Sequence, residues 1–181
     1  AIPSGAGYEI DQSLRFNDAT SHYLEWTPST AGNRKTYSFA TWFKRGSQVV
    51  GFQRLFSAST PQDYIGITSA NRICVNFSSD SVLVGSEIGH LFRDSSAWYH
   101  LLVAVDTTQA VAANRIKIFF NGVELSDYGN GEGSATPAYP SQNTDTGINT
   151  TTTHRIGAEA NGVASNFFDG YLAETHFIDG T

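Results

Sequence analysis

The sequence predicts an all-β fold, an antiparallel β-sandwich of two sheets, and three observations carry that reading. Apolar residues recur with a period of two, as in TYSFATWFKRG, where Tyr37, Phe39, Thr41 and Phe43 share one face and Ala40 and Trp42 the other. Short apolar runs from Phe52 to Val84 follow one another at about 8–12 residues with turn formers between them, the spacing of a sandwich or barrel. Two further runs meet at Asn121-Gly122, a dipeptide that tolerates positive φ and suits a two-residue type I′ turn. No stretch carries the 3.6-residue period of a helix.

The elements follow in order. Residues 1–11 hold proline and glycine without periodicity and read as a leader or linker, and residues 12–181 read as a single domain. Leu14 and Phe16 alternate with Ser13, Arg15 and Asn17, and a tight reversal over Asp18–Ser21 leads into His22–Trp26. After a polar loop, Tyr37–Lys44 carries bulk on both faces, which predicts a place in the middle of a sheet. Phe52–Ser57, Tyr64–Thr68, Arg72–Phe77 and Ser81–Val84 predict an antiparallel meander. Ala97–Leu125 supplies a strand around Leu101, Val103 and Val105, a polar break at Asp106–Asn114, a strand through Ile116, Ile118 and Phe120, and a returning arm from Val123. Asn130–Thr153 has almost no aliphatic residue and exceeds the ~12–15 residues usual for a loop, which marks it as functional or disordered. The expected core includes Phe16, Phe39, Phe43, Leu101, Val103, Ile118, Phe120 and Leu172.

Composition narrows the partners. A chain of 181 residues can bury one sizeable core, and 13% aromatic residues with 17 glycines suit pleated strands broken by turns. The net charge of −6, with no cluster of Lys or Arg, would repel a phosphate backbone, so nucleic acid is not an expected partner. No apolar run approaches the ~20 residues of a membrane span, so no membrane insertion is expected, and no signal-like segment is read before the domain. The single cysteine, Cys74, lies in the strand-like RICVNF and reads as a buried, inert thiol. The chain has no methionine and starts at Ala1, which reads as a piece trimmed from a longer polypeptide. Homo-oligomerisation through flanking regions stays open.

The order Trp98-Tyr99-His100, apolar strand, polar loop, apolar strand, Asn121-Gly122 resembles the central signature of laminin-G-like and pentraxin-like domains, the concanavalin A-like lectin jelly rolls. HRIGAE at His154–Glu159, followed by FFDGYLAETHFIDG at Phe167–Gly180, is similar to that family's final strands, an iG followed by F-x-G-x-(I/L)-x-E. With the opening strand and TYSFATWFKRG, the resemblance spans nearly the whole chain. SAWYHLLVAVDTTQA, NRIKIFFNGVEL and GYLAETHFIDG are similar in turn to laminin-G-like domains in virion proteins of tailed bacteriophages, tail fibres and appendages in particular. That likeness implies a non-catalytic binding module in a virion or otherwise extracellular setting, recognising host-surface carbohydrate. The alternatives are a structural or decoration domain that joins virion subunits, and a carbohydrate-active enzyme.

Catalysis is the first alternative to weigh, because the concanavalin A-like group includes glucanases. Retaining glycosidases need two carboxylates ~5–5.5 Å apart, a distance that alternate positions on one strand deliver. The glucanase pattern is Glu-x-Asp-x-x-Glu, whereas Glu174 is followed two positions on by His176, and Glu124 by Ser126. Glu9 pairs only with Asp11 in the loose N-terminal region. Histidines 22, 90, 100, 154 and 176 show no zinc-binding spacing, and no Gly-x-Ser-x-Gly elbow is present. No catalytic residue is therefore assigned, and the chain reads as no enzyme. Glu174 matches the family's C-terminal acidic position, for which the resemblance implies a structural role. His100 reads as packing at a strand end.

The long polar loop supplies the candidate ligand contacts Asp127, Tyr128, Asn130, Tyr139, Gln142 and Asn143. Its tyrosines offer flat contact area at little entropic cost, although packing over the sheet or against a subunit explains the loop equally well. No cofactor is required by the sequence. Calcium, the family's commonest ion, would find oxygen donors at Asn17, Asp18 and Asp169. The spaced-acid pattern of pentraxin calcium sites is missing, and the reading of these residues as ordinary turn formers is the favoured one.

Overall fold

Period-two alternation is realised as two antiparallel sheets in the computed structural model, which describes residues 10–46, 51–59, 62–77, 81–85, 92–126, 128–129 and 137–180, with 81–85 and 128–129 described through their backbone. The first sheet has six strands: β1 (Leu14–Phe16), β13 (Gly170–Asp179), β3 (Thr36–Arg45), β8 (Tyr99–Asp106), β9 (Ile116–Phe120) and β10 (Val123–Glu124), in that spatial order. The second has seven: β11 (Tyr128–Gly129), β7 (Ser81–Gly85), β6 (Ile73–Phe77), β5 (Asp63–Ile67), β4 (Gln53–Ala58), β12 (His154–Ile156) and β2 (Leu24–Trp26). The predicted jelly-roll sandwich and its β4–β7 meander are both present, with boundaries shifted by a residue or two.

The core lies where the inner faces meet. Phe39 of β3 stacks on Phe56 of β4 with ring centroids 4.9 Å apart and planes within 4°, which joins the two layers directly. Seven of the eight expected core residues are buried, and Phe120 packs against them from a half-buried position. The expected list omitted Tyr37, Phe56, Phe77, Phe92 and Phe168, which are equally buried. Strand β3 keeps its strict alternation, with Tyr37, Phe39, Thr41, Phe43 and Arg45 inward, and it sits between β13 and β8 as its two bulky faces predict.

Local chemistry explains the connections. Asn121 at φ 48° and Gly122 at φ 81° form the predicted two-residue turn, which pairs Phe120 with Val123. The Asn121 side-chain oxygen also accepts the His100 backbone N–H at 2.8 Å, which fastens the turn to β8. The reversal after β1 is a 3-10 turn at Asp18–Thr20 ended by Ser21 at φ 58°. It does not close a hairpin, because β1 pairs with β13 in one sheet and β2 with β12 in the other. The two glycines of the C-terminal motif are fixed by close approach. A Cβ on Gly157, at φ 84°, would strike the Phe16 ring, and one on Gly170 would strike the Lys44 carbonyl.

Residues 137–153 form no strand, yet they are strapped to the sandwich. Ile148 is fully buried, the Thr146 hydroxyl donates to the Arg34 carbonyl at 2.8 Å, and the Gly147 N–H donates to the Asp63 carboxylate. At the far end His154 accepts the Asn149 N–H through Nε2 at 2.9 Å and bonds the Thr152 carbonyl through Nδ1 at 2.8 Å, which is the pattern of a neutral imidazole. Cys74 is buried as expected, and desolvation pushes its thiol up to about 11 despite the nearby Arg54 guanidinium. Among the described residues no helix is long and apolar enough to cross a membrane.

Candidate functional site

The two outer sheet faces differ. All six residues of β4 in the seven-stranded sheet are buried, and residues 157–159 and 166 bond to that strand. There the Ser57 hydroxyl donates to the Ala158 carbonyl at 2.7 Å and Arg54 pairs with the buried Glu159 at 2.6 Å. Among the described residues nothing covers the outer face of the six-stranded sheet around β3 and β13, where Trp42 is half-buried and Tyr171, Glu174, His176 and Ile178 are exposed. A site for an outside molecule is built from this face.

Three adjacent strands contribute. Trp42 on β3 lies opposite His100 on β8 and Ala173 on β13, and the Trp42 and His100 rings are 5.1 Å apart at an angle of 51°. On β13, Leu172 and Phe177 both point inward, against Phe43 and Phe39, although they are five positions apart. An odd spacing cannot keep two side chains on one face of a regular strand. The chain resolves the conflict with a β-bulge between Ala173 and His176, where Glu174 takes φ 48° and the Thr175 hydroxyl meets that of Thr41 at 2.8 Å. As a result Glu174 and His176 both face outward, with Glu174 Oε2 3.5 Å from His176 Nε2. Trp42, His100, Glu174 and His176 line a cleft of about 280 Å³. Partial burial lowers the His100 pKa, so this imidazole is neutral at pH 7. The cleft therefore presents an aromatic face, two imidazoles and a carboxylate.

The loop residues singled out from the sequence lie elsewhere. Asp127 and Asn130 are outside the described residues, and Tyr128 is described only as backbone in β11, paired with Gly85. Tyr139 is half-buried against the core, where desolvation raises its hydroxyl pKa. Gln142 and Asn143 are exposed: the Gln142 amide donates to the Thr108 carbonyl at 3.0 Å, and the Asn143 N–H donates to the Thr107 carbonyl at 2.8 Å. Gln142 and Asn143 are thus tied to the segment after β8, residues 146–149 are tied to Arg34, Asp63 and His154, and none of them lines the Trp42 cleft.

The oxygens considered for calcium are already engaged. Asn17 and Asp18 both accept the Ala19 N–H, at 3.0 and 2.8 Å, and so cap the 3-10 turn. Asp169 is buried and lies 2.7 Å from the Arg15 guanidinium, a cation that would oppose a second one. Among the described residues no group of three or more His, Cys, Asp or Glu side chains could hold a metal ion. These residues do not make a fitted calcium site as arranged. Glu174 and His100 are far apart in sequence from each other and from Trp42, and only strand pairing assembles them with His176. The available signal was the odd Leu172–Phe177 spacing, which demands a bulge.

An open sheet face on a jelly roll defines a lectin-like sandwich, and sequence comparison agrees. Residues 18–181 match the laminin-G-like family described as the concanavalin A-like lectin/glucanases superfamily, and the chain belongs to that family. No curated protein matches it in sequence. Similar solved structures include the heptameric SAP-like pentraxin of Limulus polyphemus, with TM-score 0.53 and 16% identity over 86% of this chain and 68% of that one. The mouse laminin α1 chain, domains LG4-5, gives 0.57 and 13% over 98% and 44%. The enzymatically active domain of tailspike protein 2 from bacteriophage CBA120 gives 0.52 and 8% over 93% and 25%. The chain spans less than half of the laminin pair and a quarter of the tailspike domain, and at these identities the likeness is one of fold.

Proposed function

We propose that this lectin-like domain is a non-catalytic module of a bacteriophage virion protein, a tail fibre or appendage, that binds host-surface carbohydrate on the open face of its six-stranded sheet. The observation that carries the reading is the Trp42 cleft. Sugar rings present C–H faces to aromatic planes and hydroxyls to polar rims, and a half-buried Trp beside His100, Glu174 and His176 supplies both. Glu174 is the single carboxylate lining the cleft among the described residues, whereas glycoside hydrolysis in its usual form uses a pair. The phage setting rests on the resemblance of the strands around Trp98, Ile116 and Leu172, and with it goes a virion or extracellular location.

A glycan array probed with the wild-type domain and with Trp42→Ala tests this. Wild type binds a defined subset of glycans, and the variant loses at least about tenfold in affinity, the scale of a lost contact hot spot. Absence of binding to any glycan, or release of oligosaccharide from bacterial polysaccharide, would contradict the reading.

One observation favours the assembly alternative. Between the edge strands β1 and β2, Leu14, Phe16, Leu24, Ile156 and Leu172, together with Glu174 and Thr175, line a largely apolar notch of about 340 Å³, and Leu14 and Leu24 are half exposed. Exposed apolar edges of this kind join subunits. Light scattering on the wild-type domain distinguishes the two, since concentration-dependent association without glycan binding would favour assembly.

A further inference from the structure

We infer that Glu174 is the specificity-determining residue of the Trp42 cleft and that it selects uncharged or amine-bearing sugars while rejecting anionic ones. This deepens the carbohydrate-binding reading and rests on it.

The inference starts from backbone conformation. Glu174 sits at φ 48° at the bulge, a region that costs a non-glycine residue and is otherwise filled by glycine at such bulges. The other positive-φ residues among those described are one serine, Ser21, and glycines and asparagines, the two types that adopt this region readily. Glutamate has no such preference. Burial offers no compensation either, since the Glu174 side chain is 44% exposed. What the bulge achieves is direction: it turns the carboxylate out of the sheet onto the rim of the cleft, across from the Trp42 and His100 rings. The family resemblance implies a structural role for this acid, but its exposure and its place on the rim beside the aromatic rings point to contact with a ligand instead.

The chemistry of the rim then defines the ligand. A carboxylate accepts hydrogen bonds, in pairs from vicinal hydroxyls or more strongly from an ammonium group. No lysine or arginine lines the cleft among the described residues, and the chain carries a net charge of −6. A sialic or uronic acid would bring its own carboxylate against Glu174 with no lysine or arginine in the cleft lining to balance the pair, and like charges at this range repel.

The test uses the full chain on an array that contains neutral, amine-bearing, and sialylated or uronic acid glycans, with thermal unfolding measured in parallel. Wild type binds neutral or amine-bearing glycans and passes over the anionic ones. Glu174→Gln weakens binding about tenfold or more and narrows the discrimination against anionic glycans. Glu174→Gly also weakens binding, yet its Tm rises by about 2–4 °C, because the left-handed conformation no longer carries a side-chain penalty. A fall in Tm for Glu174→Gly would assign the residue a structural role and overturn the inference. So would glycan binding that Trp42→Ala removes and Glu174→Gln leaves unchanged, or a preference for anionic glycans; both leave the carbohydrate-binding reading standing. A chain that binds no glycan at all overturns both together.

Discussion

His154 shows how one side chain ties loop to sheet. It is buried between Trp26 and Phe56, at centroid distances of 5.4 and 6.0 Å, and its two ring nitrogens hold the Asn149 N–H and the Thr152 carbonyl. Protonation would remove the Nε2 acceptor, and desolvation lowers the pKa, partly offset by the bond to Thr152. The unfolded histidine titrates near ~6.5 and the folded one lower, so the unfolded chain binds more protons in that window. The stabilisation is complete above the unfolded value and is lost as pH falls from it toward the folded one. His100 has the same sign, whereas Asp94 and Asp106, whose pKa values are depressed by hydrogen bonds, act only at more acid pH. The Tm therefore drops between pH 7 and pH 5, and His154→Asn, less stable at pH 7, shows a flatter profile. Equal slopes for the two proteins would remove His154 from the account.

At the scale of the element, the C-terminal strand carries both the fold and the candidate site. Its motif glycines were visible in the sequence as parts of a resemblance, and the structure supplies their causes in the Phe16 ring and the Lys44 carbonyl. Gly157→Ala should cost about 1–3 kcal/mol for backbone conformation, with overpacking against Phe16 adding a similar amount. Urea unfolding reads the change, and a loss below about 0.5 kcal/mol would mean that the ring yields freely. The bulge was harder to read. Alternation alone places Leu172 inward but then misassigns every residue from Glu174 on, since a one-residue insertion flips the facing of all that follow. Only the need to bury Phe177 as well as Leu172 exposes the irregularity.

Across the whole molecule, strands and their order were legible because period-two patterns are local. The meander from β4 to β7, the central position of β3 and the Asn121-Gly122 turn all follow from short windows of sequence. The assignment of β1 and β2 to opposite sheets was not legible, because it depends on the distant partners β13 and β12. The candidate site was hidden for the same reason: Trp42, His100 and Glu174 are far apart in sequence and become neighbours only through strand pairing. Polarity and length drew attention instead to the loop around Tyr139, whose described part is committed to backbone bonds and core contacts. The two faces of the sandwich complete the picture, one covered over β4 and one left open around Trp42.

The most direct measurement is an NMR titration of the isotopically labelled chain with a glycan that binds it on the array. The largest shifts are expected on the Trp42 indole N–H and on the His100, Glu174 and His176 amides, with Gln142 and Asn143 unmoved. Shifts centred on Tyr139, Gln142 and Asn143, with the Trp42 indole unchanged, would contradict this expectation and return the binding surface to the loop.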